Sequence, residues 1–240
     1  MVKLQNFNLR LLFFQKPGYN TVMEYLQSLA TESGPGLKSY PVKIGILGGT
    51  FNPVHAGHID LAVKAYREFN LSRILLMLSG NPPHKSPSEL APAHHRLNML
   101  SLAANKYPFL EISNLELSRG GVIYTVDTLA LLTRQQPNSE FYFIIGSDAL
   151  FELETWKNIG EIFNLTYFIC MKRPEISLIQ VMIEIERLNR IYGDKIKLSK
   201  YSGIPVSSSE IREAIKMGRH PIENLTEEVE DYINQNGLYK

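Results

Sequence analysis

His55 and His58 stand three residues apart in Gly48-Gly49-Thr50-Phe51-Asn52-Pro53-Val54-His55-Ala56-Gly57-His58. At that spacing on a helix start, two imidazoles can face one anion. The glycines allow a sharp turn and a close backbone approach to a ligand. A helix opening near Gly57 adds free N–H groups and the positive end of its dipole. The chemistry on offer is hydrogen-bond donation and charge stabilisation at phosphate. Other motifs fit less well. Gly45, Gly48 and Gly49 do not supply G-x-G-x-x-G, no Gly-Lys-Ser/Thr ending follows, and no H-E-x-x-H pattern exists for zinc. A pair of structural histidines capping a helix stays open on residue types alone.

A second candidate lies in Val206-Ser207-Ser208-Ser209-Glu210-Ile211-Arg212. Consecutive serines before a helix provide a cap and free backbone donors. Arg212, one turn in, can present a forked guanidinium to the same anion. Taken by itself this reads better as a capped helix carrying a solvated arginine.

Both segments need a scaffold. Val42–Leu47 reads as a buried strand and Gly57–Phe69 as an amphipathic helix. Further strands are expected at Arg73–Leu78, Phe109–Ile112, Glu140–Ile145, Thr166–Met171 and Lys195–Leu198. Helices are expected at Ala93–Asn105, Thr125–Gln135, around Trp156–Phe163, and at Leu178–Arg190, Ser209–Met217 and Glu227–Asn234. Such alternation predicts an α/β fold, a doubly wound parallel sheet with helices on both faces and a small helical part at the end. Ligands of such sheets sit at the carboxyl ends of strands, which is where both motifs fall.

Composition narrows the partners. The 240 residues carry 25 Lys and Arg against 24 Asp and Glu, a formal charge of +1. That balance argues against a nucleic-acid or general polyanion binder. The single cysteine, Cys170, excludes an internal disulfide and suits a reducing, cytoplasmic setting. No apolar run approaches the ~18–20 residues of a membrane helix, and no signal peptide is legible. Residues 1–42, with a break at Ser33-Gly34-Pro35-Gly36 and a helix expected around Val22–Leu29, read as an N-terminal extension without legible chemistry. Residues 43–240 read as the catalytic domain. Oligomeric state is open, a homo-oligomer included.

Gly-Gly-Thr-Phe-Asn-Pro-x-His-x-Gly-His resembles the signature of nucleotidyltransferases with the H-x-G-H motif. In that superfamily a nucleotide 5′-phosphate attacks the α-phosphorus of a nucleoside triphosphate and expels pyrophosphate, with no covalent enzyme intermediate. The resemblance implies a Rossmann-like fold and catalytic roles for His55, His58 and Arg212, His58 acting at the α-phosphate. It implies ATP contacts from Gly49, Thr50, Phe51 and His58. Val206–Arg212 resembles the I-S-S-T-x-I-R element, with Val206 for Ile and Ser209 for Thr, so Ser208, Ser209 and Arg212 would grip the β- and γ-phosphates. Gly146-Ser147-Asp148 resembles the G-x-D motif, which implies that Gly146 and Asp148 hold the ATP ribose.

Three further segments resemble the bacterial nicotinate-nucleotide adenylyltransferase family. They are Asn81-Pro82-Pro83-His84-Lys85; Tyr124-Thr125-Val126-Asp127-Thr128, preceded by Ile123 where the family has serine; and Thr155-Trp156-Lys157. The implied acceptor is nicotinate mononucleotide, met by Asn52, His84, Lys85, Tyr124, Thr125, Trp156 and Lys157, with Trp156 stacked on the pyridine ring. Mg2+ would come with ATP, bridging phosphates without a dedicated carboxylate cage. Alternatives are nicotinamide mononucleotide or phosphopantetheine as acceptor, or a non-catalytic nucleotide-binding regulator. Lys172-Arg173-Pro174 and the closing Tyr232–Tyr239 also resemble family segments, without an assigned role.

Overall fold

Near-continuous apolar runs make the strands, as a sheet buried on both faces requires. In the computed structural model, which describes residues 40–80, 90–220 and 222–240, six strands form one parallel sheet. They are β1 (Val42–Gly49), β2 (Arg73–Leu78), β3 (Leu110–Ser113), β4 (Ser139–Gly146), β5 (Tyr167–Lys172) and β6 (Ile196–Ser202), in the order β3-β2-β1-β4-β5-β6. The chain divides into two units, Met1–Tyr40 and Pro41–Lys240, and all six strands belong to the second.

Side chains alternate across the sheet and feed two cores. Along β5, Ile169 and Met171 join one core while Phe168 and Cys170 join the other. The first core is completed by α1 (Ala56–Glu68), α2 (Ala93–Ala104), α7 (Ser208–Lys216) and α8 (Glu227–Gln235). The second is completed by α3 (Thr125–Gln135), the short α4 (Ser147–Leu150), α5 (Ile159–Leu165) and α6 (Leu178–Tyr192). Cys170 is buried in this second core, and burial pushes its thiol up to about 12. Its role there is packing.

Strand order reverses between β1 and β4, the position where open α/β sheets form a crevice. Parallel pairing of these two strands runs from Val42–Ser139 to Ile46–Phe143 and goes no further. Beyond it Leu47–Gly49 pair with β2, and Ile144–Gly146 pair with β5. The strand ends therefore splay, and the loops after β1 and β4 face each other across the gap.

The sequence expectations for strands and helices agree with these elements to within a few residues, with one correction. The helix expected around Trp156–Phe163 is split: a 3-10 turn covers Leu153–Thr155 and α5 begins only at Ile159. Trp156 is extended and Asn158 adopts a left-handed conformation at φ 54°. That break releases Trp156 from a helical face. Helix α4 was not expected; four residues carry too little periodicity to be read. The helix expected around Val22–Leu29 lies outside the described residues.

Candidate active site at the strand switch point

The cleft at the switch point encloses about 1410 Å³ and is lined from β1, the β1–α1 loop, α1, β4, the Trp156 segment, the end of β5 and the start of α7. Among the expected site residues, Gly49, Thr50, His55, His58, Tyr124, Thr125, Gly146, Trp156, Lys157, Ser208 and Ser209 all lie on its wall. Phe51, Asn52, Asp148 and Arg212 are not among the lining residues. His84 and Lys85 lie outside the described residues.

His55 occupies the N-cap of α1 and His58 its first turn. The two rings stack with centroids 3.7 Å apart. Gly57 between them is required by space: a Cβ there would stand 2.7 Å from Val206 Cγ1 and 3.1 Å from the His55 ring. The His55 backbone N–H donates to His58 Nδ1 at 3.2 Å. A neutral imidazole that accepts at Nδ1 carries its proton on Nε2, so His58 is set up as a donor at that nitrogen. His55 is 8% exposed and its buried Nδ1 has no hydrogen-bond partner among the described residues. Burial, with the nearby Arg173 cation, lowers its pKa to about 4, so it is neutral at pH 7.

Helix α7 brings the second candidate segment to the cleft. Ser207 caps it, accepting from Glu210 N–H at 3.2 Å, while Glu210 Oε2 accepts the Ser207 N–H at 2.9 Å. This capping box fixes the entry of the chain. Ser208 Oγ donates to the Pro53 carbonyl at 2.9 Å, tying the helix start to the histidine loop. Arg212 donates from Nη1 to the Asn52 carbonyl at 2.9 Å and from Nη2 to Ser209 Oγ at 3.2 Å. It thus stands beside the cleft's serine wall with both motifs in reach.

Opposite lie Tyr124 and Thr125, at the start of α3. Lys157 Nζ sits 4.0 Å over the Tyr124 ring. Trp156 meets Phe143 edge-on, ring centroids 5.7 Å apart, and also lines the cleft. Asp148 is held at the rim, where Arg173 Nε donates to Oδ1 at 2.9 Å.

Asn52 and Phe51 turn inward. Asn52 is 1% exposed, and its Oδ1 accepts from Ala91 N–H at 3.0 Å and from the Tyr239 hydroxyl at 2.8 Å. Phe51, at φ 45°, packs its ring against Gly49 and edge-on to His58. Both shape the loop from beneath.

Several wall residues escaped the sequence reading. Arg173 was set aside although it follows the carboxyl end of β5, a position that signals a ligand site. Glu116 lines the cleft, accepts from Thr128 Oγ1 at 3.1 Å, and has its carboxyl raised by burial. Arg96 sits inside α2 at 2% exposure. It donates to the carbonyls of Thr50, Ser79, Gly80 and Ala91 at 2.9, 2.8, 3.3 and 2.9 Å. No sequence signal marks an arginine inside an amphipathic helix as a staple.

Known proteins resemble this chain in sequence and in fold. Residues 46–214 match the cytidylyltransferase-like family. A probable nicotinate-nucleotide adenylyltransferase of Lachnoclostridium phytofermentans is 40% identical over 197 residues, covering 82% of this chain and 98% of the relative. One from a Thermoanaerobacter species is 35% identical over 200 residues, covering 83% and 95%. A solved structure of Plasmodium falciparum nicotinic acid mononucleotide adenylyltransferase complexed with APC shares the fold at TM-score 0.67 and 23% identity, covering 82% of this chain and 96% of its own. The same enzyme complexed with NaAD aligns at TM-score 0.66. With two helix starts opening on one cleft at the switch point and relatives matched over nearly their full length, the chain belongs to the nicotinate-nucleotide adenylyltransferase family.

Proposed function

We propose that this chain transfers the adenylyl group of ATP to nicotinate mononucleotide, giving deamido-NAD and pyrophosphate, a step of NAD biosynthesis. One observation carries the reading: the starts of α1 and α7 converge on a single cleft whose opposite wall holds Tyr124, Thr125, Trp156 and Lys157. A phosphate oxygen of the acceptor attacks the α-phosphorus in line. The bond from that phosphorus to the bridging oxygen breaks, and its electron pair leaves with pyrophosphate. The acceptor phosphate is already ionised near neutrality, so no general base is needed. The protein's work is orientation and charge stabilisation.

Within this reading His58 donates from Nε2 to the α-phosphate, and Thr50 and the free N–H groups of α1 support it. Ser208, Ser209 and Arg212 take the β- and γ-phosphates; Arg212 has five N–H donors and keeps some beyond its contacts with Asn52 and Ser209. Asp148 at the carboxyl end of β4 suits the ATP ribose hydroxyls. The start of α3 at Thr125 favours a carboxylate, which supports the acid over the amide, and Trp156 offers an aromatic face to the cationic pyridine. Among the described residues no three His, Cys, Asp or Glu side chains come together to hold a metal ion. The hydroxyl and N–H donors of the phosphate end would hold the triphosphate oxygens, and a Mg2+ brought with ATP would supply further charge neutralisation there.

The test is pyrophosphate release from ATP with each acceptor. Nicotinate mononucleotide is expected to be the better substrate. Preference for the amide form would overturn the acceptor, and no release with either would overturn the reaction. In the same assay His58→Ala is expected to lower kcat about 100-fold or more with little change in KM.

A further inference from the structure

The closing segment Tyr232–Tyr239 resembles its family counterpart but has no part in the chemistry above, and the structure gives it a contact with the loop that does. Residues 50–53 connect β1 to the cap of α1 without regular structure, and Phe51 stands at φ 45°, where a bulky residue is strained. Such a loop keeps one shape only if neighbours over-determine it. Arg96 takes the Thr50 carbonyl, Arg212 the Asn52 carbonyl and Ser208 the Pro53 carbonyl. The N–H of Ala56 donates to the Asn224 carbonyl at 2.8 Å. Through its side chain, Asn52 Oδ1 receives Ala91 N–H and the Tyr239 hydroxyl.

Tyr239 is itself left-handed at φ 64°. A tyrosine held there is paying a conformational cost that the surrounding contacts must outweigh. Its hydroxyl lies near the Arg212 and Arg96 cations, yet burial keeps it above the ordinary tyrosine range, so it remains a neutral donor. Elsewhere in the same segment Tyr232 makes a comparable contact with no loop attached: its hydroxyl meets His95 Nδ1 at 3.0 Å and accepts from Asn98 at 2.8 Å, fastening α8 to α2.

We infer that Tyr239 is a positioning residue for adenylyl transfer, its hydroxyl latching Asn52 so that the loop presents Thr50, His55 and His58 to the α-phosphate in one geometry. It touches no substrate. The inference rests on the transferase reading for its kinetic consequence, while the latch itself is a property of the empty protein. Losing the latch leaves Asn52 Oδ1 with the Ala91 N–H and lets the strained loop relax away from the geometry that the transition state needs.

The experiment compares the full chain with Tyr239→Phe and Tyr232→Phe, each losing one hydroxyl from the same segment. Steady-state pyrophosphate release is measured with ATP and nicotinate mononucleotide, alongside thermal unfolding. Amide hydrogen exchange of residues 54–58 is followed without substrate. Tyr239→Phe is expected to lose about tenfold in kcat with both KM values within about twofold, since misplacement of catalytic groups acts mainly on the transition state. Tyr232→Phe is expected to keep its kcat while losing similar thermal stability. Only Tyr239→Phe should speed exchange at 54–58. Equal loss of kcat in both variants, or a Tyr239→Phe enzyme within about twofold of the parent, would overturn the latch. If the parent enzyme released no pyrophosphate, the transferase reading would fall by itself. The exchange comparison would then decide the latch, unchanged exchange in Tyr239→Phe being the result that refutes it.

Discussion

His55 and His58 share one motif but occupy different chemical states. His58 accepts a backbone N–H at Nδ1 and so offers Nε2–H, while His55 is buried, its Nδ1 without a hydrogen-bond partner among the described residues and its pKa lowered to about 4. The unfolded chain binds a proton at this residue near pH 6.5 and the folded chain does not. Stability therefore holds above pH 6.5 and is lost as pH falls from there toward 4. Between pH 7.5 and 5 the expected loss from His55 is about 2 kcal/mol. Urea unfolding of the parent and His55→Asn at both pH values checks it, the variant showing the shallower dependence. On the acceptor side, Trp156→Ala is expected to raise the KM for nicotinate mononucleotide about tenfold while leaving that for ATP in place. A rise in both KM values would assign the tryptophan to packing of the whole cleft.

Helices α1, α2 and α7 divide the work of holding the site. Helices α1 and α7 point their N-termini at the cleft, and α2 reaches under it with Arg96. Among the described residues no carboxylate pairs with that buried guanidinium, and four carbonyls from the loops after β1 and β2 and the approach to α2 accept its N–H groups. Arg96→Met keeps the bulk but strips those carbonyls of their donor. The expected cost is about 2–4 kcal/mol of stability, read from chemical denaturation. Arg212→Ala acts differently, because its guanidinium stands beside the serine wall at a helix start. It is expected to raise the KM for ATP about tenfold or more, and an unchanged KM would detach α7 from the triphosphate.

Across the whole chain, the strand order β3-β2-β1-β4-β5-β6 creates the cleft, and all the helices described above attach to that sheet within Pro41–Lys240. A chain beginning at Pro41 is expected to keep kcat within about twofold, which a truncation assay would test. The balanced composition, +1 overall, is compatible with a site for highly charged nucleotides, because helix starts and a few side chains supply the local field. Much of this was readable beforehand. Alternating apolar runs announced a parallel sheet because burial on both faces leaves no polar period, and Gly57 and the serines of α7 announced helix starts because they are local devices. Segment contents could be read residue by residue, since hydrophobic periodicity and capping act within a few positions. What no local pattern could carry was which groups meet across long separations. Asn52, read as a ligand contact, turns inward to Tyr239, 187 residues away. Arg96 looked like one residue of an amphipathic helix and proved to be a staple for two strand ends. Trp156 reaches the cleft wall because the expected helix breaks at Asn158. Each of these contacts involves a loop that has no periodicity of its own, and packing of the two sheet faces is what brings the partners together.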